Sequence, residues 1–397
     1  MDWEDARRML TGERLPVALV DLDAVTANID ALVASAGGIP IRVASKSIRH
    51  VGLLRRILDG LGEACSGLMC FSVEEAVALA GVGFDDLLVA YPTLQSAALR
   101  SAAQQVAAGK TIRLMADDRA HLVAMDAAGR SAGVTLEAIL ELDVSYRPLG
   151  GRIHLGARRS PLRSPADVVA LARAAADLDG VRLVGLMAYE GHIAGLPDAS
   201  PFQPALNPVK RLLKRRAYPA AAASRAATVA ALEAVGVSLS VVNAGGTGSV
   251  HLNATESAIT EVTAGSGFLC SHLFDYYADL NLKPAAFFAL EVVRRSDPGI
   301  VTCAGGGYIA SGEPGWDRLP LPVLPPGLRY ISVEGAGEVQ TPLRVPPGVE
   351  IPLGAPVLFR HSKAGEPAER FVEYLLLSDG QIVAREPTYR GMSWCFF

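Results

Sequence analysis

Between about residues 15 and 278 the chain alternates short apolar runs with alanine-rich stretches of helical period, and few folds accept that rhythm. The apolar runs fall at 17–20, 41–44, 67–70, 87–90, 111–115, 137–142, 183–188, 239–243 and 259–262. Between them, 24–34, 51–61, 73–80, 96–108, 119–128, 166–178 and 221–235 read as helices. Several open on a cap, such as Ser72 with Glu75 three residues on, or Ser164 followed by Pro165. Near-continuous apolar strands, each followed by a helix, predict a parallel sheet covered by helices, and over this length a TIM-like (β/α)8 barrel. Nine candidate strands are one too many for it. The first or the last is therefore expected to lie elsewhere or at the barrel margin.

After about residue 280 the helical period disappears. Pro and Gly become dense around 314–327 and 346–348, and short β-like runs follow at 287–293, 330–333, 356–360, 371–377 and 381–384. The expected organisation is an α/β chain with a barrel over 15–280 and a C-terminal all-β domain over 281–397, residues 1–14 packing with either. Charge and composition narrow the class. With 37 Lys+Arg against 41 Asp+Glu the net charge is −4, which argues against nucleic acid as a partner. No run of about 18 apolar residues suggests a membrane span. The start, MDWEDARRML, is too charged for a secretory signal, and five cysteines without pattern suit neither a disulfide framework nor a zinc cluster. A soluble, cytoplasmic enzyme is expected.

In such a barrel the functional groups sit at the C-terminal ends of the strands. Polar or glycine-rich clusters do follow the predicted strands: Ser45-Lys46-Ser47, Tyr91-Pro92-Thr93, Asp143-Val144-Ser145, Tyr189-Glu190-Gly191-His192, Gly245-Gly246-Thr247-Gly248 and Gly265-Ser266-Gly267. Lys46 ends an apolar strand. A lysine among apolar neighbours loses its charge readily and becomes an amine able to form an imine. The plainer alternative is a strand-end lysine in solvent or paired with Asp21 or Asp23. The two glycine clusters expose backbone N–H groups that would cradle a phosphate, against the alternative of plain tight turns. Lysine and cradle together suggest pyridoxal phosphate.

Residues 16–28 followed by Ala44-Ser45-Lys46-Ser47 resemble the alanine-racemase-type, fold type III pyridoxal-phosphate enzymes. Tyr189-Glu190-Gly191-His192 and Gly245-Gly246-Thr247-Gly248 narrow the resemblance to the D-threonine aldolase and D-serine dehydratase branch. Residues 335–342 and 360–366 resemble the subgroup called amino acid deaminase/aldolase. The resemblance implies that Lys46 carries the cofactor, that Gly246, Thr247, Gly265 and Ser266 bind its phosphate, and that Tyr189 lies against the pyridine ring. His192 would face the same mouth, unless it is a helix-start histidine bonded to backbone. It also exposes three departures. Where many relatives place an arginine near the cofactor's phenolic oxygen, His154 stands here, with Arg152 two residues earlier. Thr263 stands where related racemases and decarboxylases set Arg or Glu against the pyridine nitrogen, which implies a weaker electron sink. Relatives bind a divalent ion through a histidine and, two residues on, Asp or Cys; here the run is His361-Ser362-Lys363. An ammonium is no ligand, so metal is expected to be absent and Lys363 to replace it, with His361 and Glu366 as the pair if an ion binds.

The expected activity is that of a lyase on a β-hydroxy amino acid of D configuration, by retro-aldol cleavage or by β-elimination with deamination. Lys46 would act at Cα and His192 or His361 at the β-hydroxyl. An amino-acid racemase is the first alternative, since residues 307–312 resemble the segment that carries the racemase tyrosine and would make Tyr308 the second base. A non-catalytic pyridoxal-phosphate carrier and a cofactor-free lysine aldolase are the others. The resemblance further implies a homodimer whose active sites are shared, the β-domain of one chain closing the barrel of the other.

Overall fold

A computed structural model describes residues 2–396. After a first strand, Val17–Asp21 (β1), eight parallel strands close into a barrel. They are Ile41–Ala44 (β2), Cys65–Cys70 (β3), Leu87–Val89 (β4), Ile112–Ala116 (β5), Leu136–Glu141 (β6), Val181–Ala188 (β7), Val241–Ala244 (β8) and Glu261–Ala264 (β9), and β9 pairs back onto β2. Successive residues of one strand point to opposite faces. Leu88 accordingly joins Met115, Ile139, Met187 and Val241 inside the barrel, while its neighbours Leu87 and Val89 pack outward under the helices. Burial on both faces is why these runs are apolar without alternation. The anticipated caps are in place. Ser72 Oγ accepts from the Glu75 N–H, and Ser164 with Asp167 forms a capping box just ahead of Pro165; such a cap contributes about 1 kcal/mol.

The ninth strand lies outside the barrel, and it is the first. β1 belongs to a nine-stranded sheet with Ala286–Asp297 (β10), Ile300–Ala304 (β11), Leu321–Leu324 (β12), Arg329–Tyr330 (β13), Gln340–Arg344 (β14), Pro356–Arg360 (β15), Glu373–Ser378 (β16) and Gln381–Pro387 (β17). Within it β1 runs antiparallel to β10 and parallel to β16. Helix Trp3–Met9 docks on the same sheet, burying Ala6 beside Leu19, and Trp3 Nε1 donates to Pro356 O at 2.9 Å. The N-terminal segment thus packs with the second sheet.

The helix after β7 is longer than its sequence suggests. It spans Asn207–Ala234, with Pro219 inside it. Among the described residues no helix is long and apolar enough to cross a membrane. The two sheets meet at the barrel mouth. There the backbone of Gly365 lies so close to the turn after β2 that a Cβ on it would fall 1.9 Å from Lys46 O.

Candidate active site

A cavity of about 550 Å3 opens at the C-terminal ends of the barrel strands, where a (β/α)8 fold places its chemistry. A second cavity, about 680 Å3, lies along the outer helix beside Lys214 and His251, and no barrel-strand residue lines it. Beyond β2 the chain makes a single 3-10 turn, Ser45–Ser47, that swings Lys46 into the strand-end cavity. Ser45 Oγ pins the turn by donating to Met69 O at 2.9 Å. Lys46 Nζ donates to the Tyr91 hydroxyl at 3.2 Å. Its surroundings are therefore polar rather than the apolar ones expected.

Next to the lysine's turn, the turns after β8 and β9 form a cup from Gly246, Thr247, Gly265 and Ser266. Thr247 Oγ1 accepts from the N–H groups of Gly265 and Gly267 at 3.3 and 3.1 Å, and Ser266 Oγ meets Ser47 Oγ at 3.0 Å. Gly265 is required by close approach, because a Cβ there would lie 2.8 Å from Ala44 Cβ. Behind the cup sits a buried charge network. Glu190 accepts from Ser249 Oγ at 2.6 Å, Asn253 Nδ2 at 2.7 Å and Arg225 Nη1 at 3.0 Å. Glu190 and Arg225 are fully buried, and Ser249 N donates to Gly246 O at 2.8 Å. The floor is made by Asn243 and Thr263. Asn243 Nδ2 donates to Thr263 Oγ1 at 2.9 Å and to Glu261 Oε1 at 2.8 Å, and Glu261 pairs with the buried Arg42.

One wall is aromatic and cationic. The Arg159 guanidinium lies over the rings of both Tyr91 and Tyr189, 5.3 and 5.2 Å from their centroids. Burial opposes ionisation of Tyr91, but Lys46 and Arg159 outweigh it and hold the phenol below its usual value. Tyr189 goes the other way, pushed up to about 12 by burial and by Glu190. Glu141, at the end of β6, is raised to about 7 by burial, with Arg159 opposing from 3.9 Å. The opposite wall comes from the second sheet's loops: Ser311, Arg318, Lys363 and Glu366 of the same chain.

The structure thus gathers Lys46, Tyr189, Gly246, Thr247, Thr263, Gly265, Ser266, Lys363 and Glu366 around one cavity. It leaves four expected residues out of the lining. His154 is drawn away by Arg147, whose Nε meets His154 Nδ1 at 3.0 Å and whose guanidinium also binds Asp143. The arginine over the cavity is Arg159, which the sequence reading missed. His192 is 8% exposed, with neither ring nitrogen bonded, and burial lowers its pKa toward the neutral form. Tyr308 packs edge-on against Phe288 and Phe371. His361 turns back on its own loop, Lys363 N–H donating to its Nδ1 at 3.0 Å. Arg159, Ser311, Arg318 and the Glu190–Arg225 network all went unread. They lie in loops or inside a helix face, where neither periodicity nor glycine marks them.

A set of N–H groups and hydroxyls sharing a cavity with a lysine fits a phosphorylated aldehyde cofactor: the cup would take the phosphate and Lys46 the carbonyl carbon. Comparison with known proteins agrees with this architecture. Over 256 residues the chain is 28% identical to the 3-hydroxy-D-aspartate aldolase of Paracoccus denitrificans (strain Pd 1222), a match covering 63% of this chain and 59% of that protein. It is 27% identical over 350 residues to a D-threonine aldolase of an Arthrobacter species, covering 86% of this chain and 83% of that one. Its fold matches the crystal structure of D-threonine aldolase from Filomicrobium marinum with a TM-score of 0.79 at 21% identity, over 97% of this chain and 96% of that one. The alanine racemase N-terminal domain matches residues 20–266, well over half of the chain, and the protein belongs to that family.

Proposed function

We propose that the protein is a pyridoxal-phosphate-dependent lyase acting on a β-hydroxy D-amino acid, by retro-aldol cleavage or by β-elimination with deamination. The observation that carries this reading is a lysine and a two-turn cup of glycines and hydroxyls lining one cavity. Bound there, the cofactor would supply the sink for the electron pair released at Cα. The chain's own residues do the rest. Lys46 carries the cofactor and holds or returns the proton at Cα. Gly246, Thr247, Gly265 and Ser266 hold the phosphate, and Glu190 with Arg225 keeps their turns in register from behind. Thr263 offers the floor a neutral hydroxyl rather than a charge, and Asn243 fixes its orientation. Arg159, in place of the expected His154, supplies a cation in the cavity that would meet the bound cofactor, and Tyr189 supplies an aromatic face beside it.

A divalent ion does not fit the residues at 361–363. The His361 ring is bonded to the backbone of Lys363 and of Tyr308, and the position two residues on carries an ammonium. Tyr308, the second base of the racemase reading, packs into an aromatic cluster outside the cavity of its own chain, and the assay below separates racemisation from cleavage. We infer a homodimer from the apolar side chains exposed on the second sheet's loops, Ile309, Trp316, Val333 and Val339; full activity in a monomer sized by light scattering would contradict it. A cytoplasmic setting is consistent with five cysteines that form no disulfide. Incubating the purified holoprotein with D- and L-β-hydroxy amino acids, and assaying aldehyde and ammonia separately, tests the activity. Aldehyde or ammonia from D-substrates is expected; release of neither, with interconversion of enantiomers, would favour the racemase.

A further inference from the structure

The wall made by the second sheet's loops carries a connected set of polar groups. Lys363 Nζ donates to Ser311 Oγ at 2.7 Å. Ser311 Oγ donates in turn to Glu366 Oε1 at 2.6 Å, and the Ser311 N–H reaches both carboxylate oxygens at 3.2 Å. All three side chains and Lys46 line the same cavity. Two contacts make the arrangement rigid. The Gly365 backbone rests on the Lys46 carbonyl, and the Lys363 N–H is tied to the His361 ring. An ammonium carries three donors, of which Ser311 takes one, so two remain to meet a ligand in the cavity. Arg318 lines the same wall, so Glu366 is the carboxylate that offsets several cations there.

Resting on the lyase reading above, we infer that Lys363, set in place by Ser311 and Glu366, receives the substrate's β-hydroxyl and stabilises the negative charge left on its oxygen as the hydroxyl proton passes to solvent water in the open cavity, a task the resemblance gives to a divalent cation. A fixed ammonium aimed at a developing oxyanion acts without reorganising when the charge appears. Arg would not be equivalent, since its planar fork cannot replace a compact point charge on a flexible stem. Ser311 and Glu366 are positioning residues: Ser311 bonds Lys363 and Glu366 bonds Ser311, neither touching the reacting atoms.

The test uses the holoenzyme and compares a β-hydroxy ligand with its deoxy analogue, D-threonine against D-2-aminobutyrate, by the change each makes in the bound cofactor's absorbance. Wild type should bind the hydroxy ligand at least tenfold more tightly. Lys363→Met should bind both alike and cleave D-threonine at least a hundredfold more slowly, with cofactor content and circular dichroism unchanged. Ser311→Ala should lose part of the discrimination, which a merely structural role would leave intact. Activity of the wild type should survive EDTA. Lys363→Met retaining both discrimination and rate would overturn the inference, as would a wild type inactivated by EDTA and restored by Mn2+. A wild type that binds cofactor yet cleaves no β-hydroxy amino acid would instead overturn the lyase reading.

Discussion

Replacing Gly365 by alanine should separate turnover from cofactor binding, and the structure sets the size of the effect. The residue has an ordinary φ of −80°, so alanine brings no backbone strain. The obstacle is contact: the new Cβ would lie 1.9 Å from Lys46 O and 2.8 Å from Ser47 Cα. Both are backbone atoms, so no side chain can swing aside. To reach the 3.0 Å below which real Cβ contacts essentially never fall, the loop must retreat from the Lys46 turn by about 1.1 Å. Lys363 and Glu366 ride on that loop. A misplacement of about 1 Å costs on the order of a hundredfold in rate, or about 2.7 kcal/mol of barrier. The phosphate cup, built by the turns after β8 and β9, stays with the barrel. Steady-state assay of Gly365→Ala at saturating cofactor should therefore give a kcat about a hundredfold below wild type, with the cofactor's visible absorbance retained. Overpacking should also lower stability by about 1–3 kcal/mol. A variant within threefold of wild type in kcat would refute the claim that this contact sets the geometry of the mouth.

Other outcomes follow from the same coordinates. Glu190→Gln leaves Arg225 buried with one carboxylate fewer and should cost about 3 kcal/mol in urea unfolding, with faster cofactor loss on dialysis. Arg159→Met should raise the Tyr91 phenol back toward its ordinary value, because one of the two cations opposing its burial is gone; alkaline ultraviolet titration reads this. Glu75 is fully buried, and burial raises its carboxyl from 4.5 to about 7, with Tyr389 and the Phe71 N–H as hydrogen-bond partners. Its raised value makes a contribution to stability that is complete below about pH 4.5 and lost as pH rises through about 7. The thermal midpoint of Glu75→Gln should therefore gain on that of wild type between pH 5 and pH 8; a difference that stays constant over that range would contradict this.

The barrel was legible because most of its strands are buried on both faces and several helices open on a side-chain cap, so period and caps suffice. Which sheet a strand joins is another matter. Val17-Ala18-Leu19-Val20 reads like any barrel strand, and only pairing with β10 and β16, more than 250 residues away, assigns it. The helix Asn207–Ala234 was read only from residue 221, because Pro208 and Pro219 break the local signal and Lys210, Arg211, Lys214, Arg215 and Arg216 dilute the apolar stripe. In the cavity, Lys46 and the glycine turns were readable from their place at strand ends. Arg159 was not. It sits in the long loop after β6, five residues from His154, and lies over Tyr189 while His154 meets Arg147, contacts that local sequence does not mark. Ser311 and Glu366 are 55 residues apart and meet through the loop fold alone.

The account rests most directly on which lysine carries the cofactor. Lys46 and Lys363 line the same cavity, so the measurement must distinguish them. Borohydride reduction of the holoprotein, followed by proteolysis and mass spectrometry, maps the modified residue. The account predicts a single phosphopyridoxyl adduct on the peptide bearing Lys46, absent from Lys46→Ala. An adduct on Lys363 in the wild type, or none at all in a protein saturated with cofactor, would contradict it.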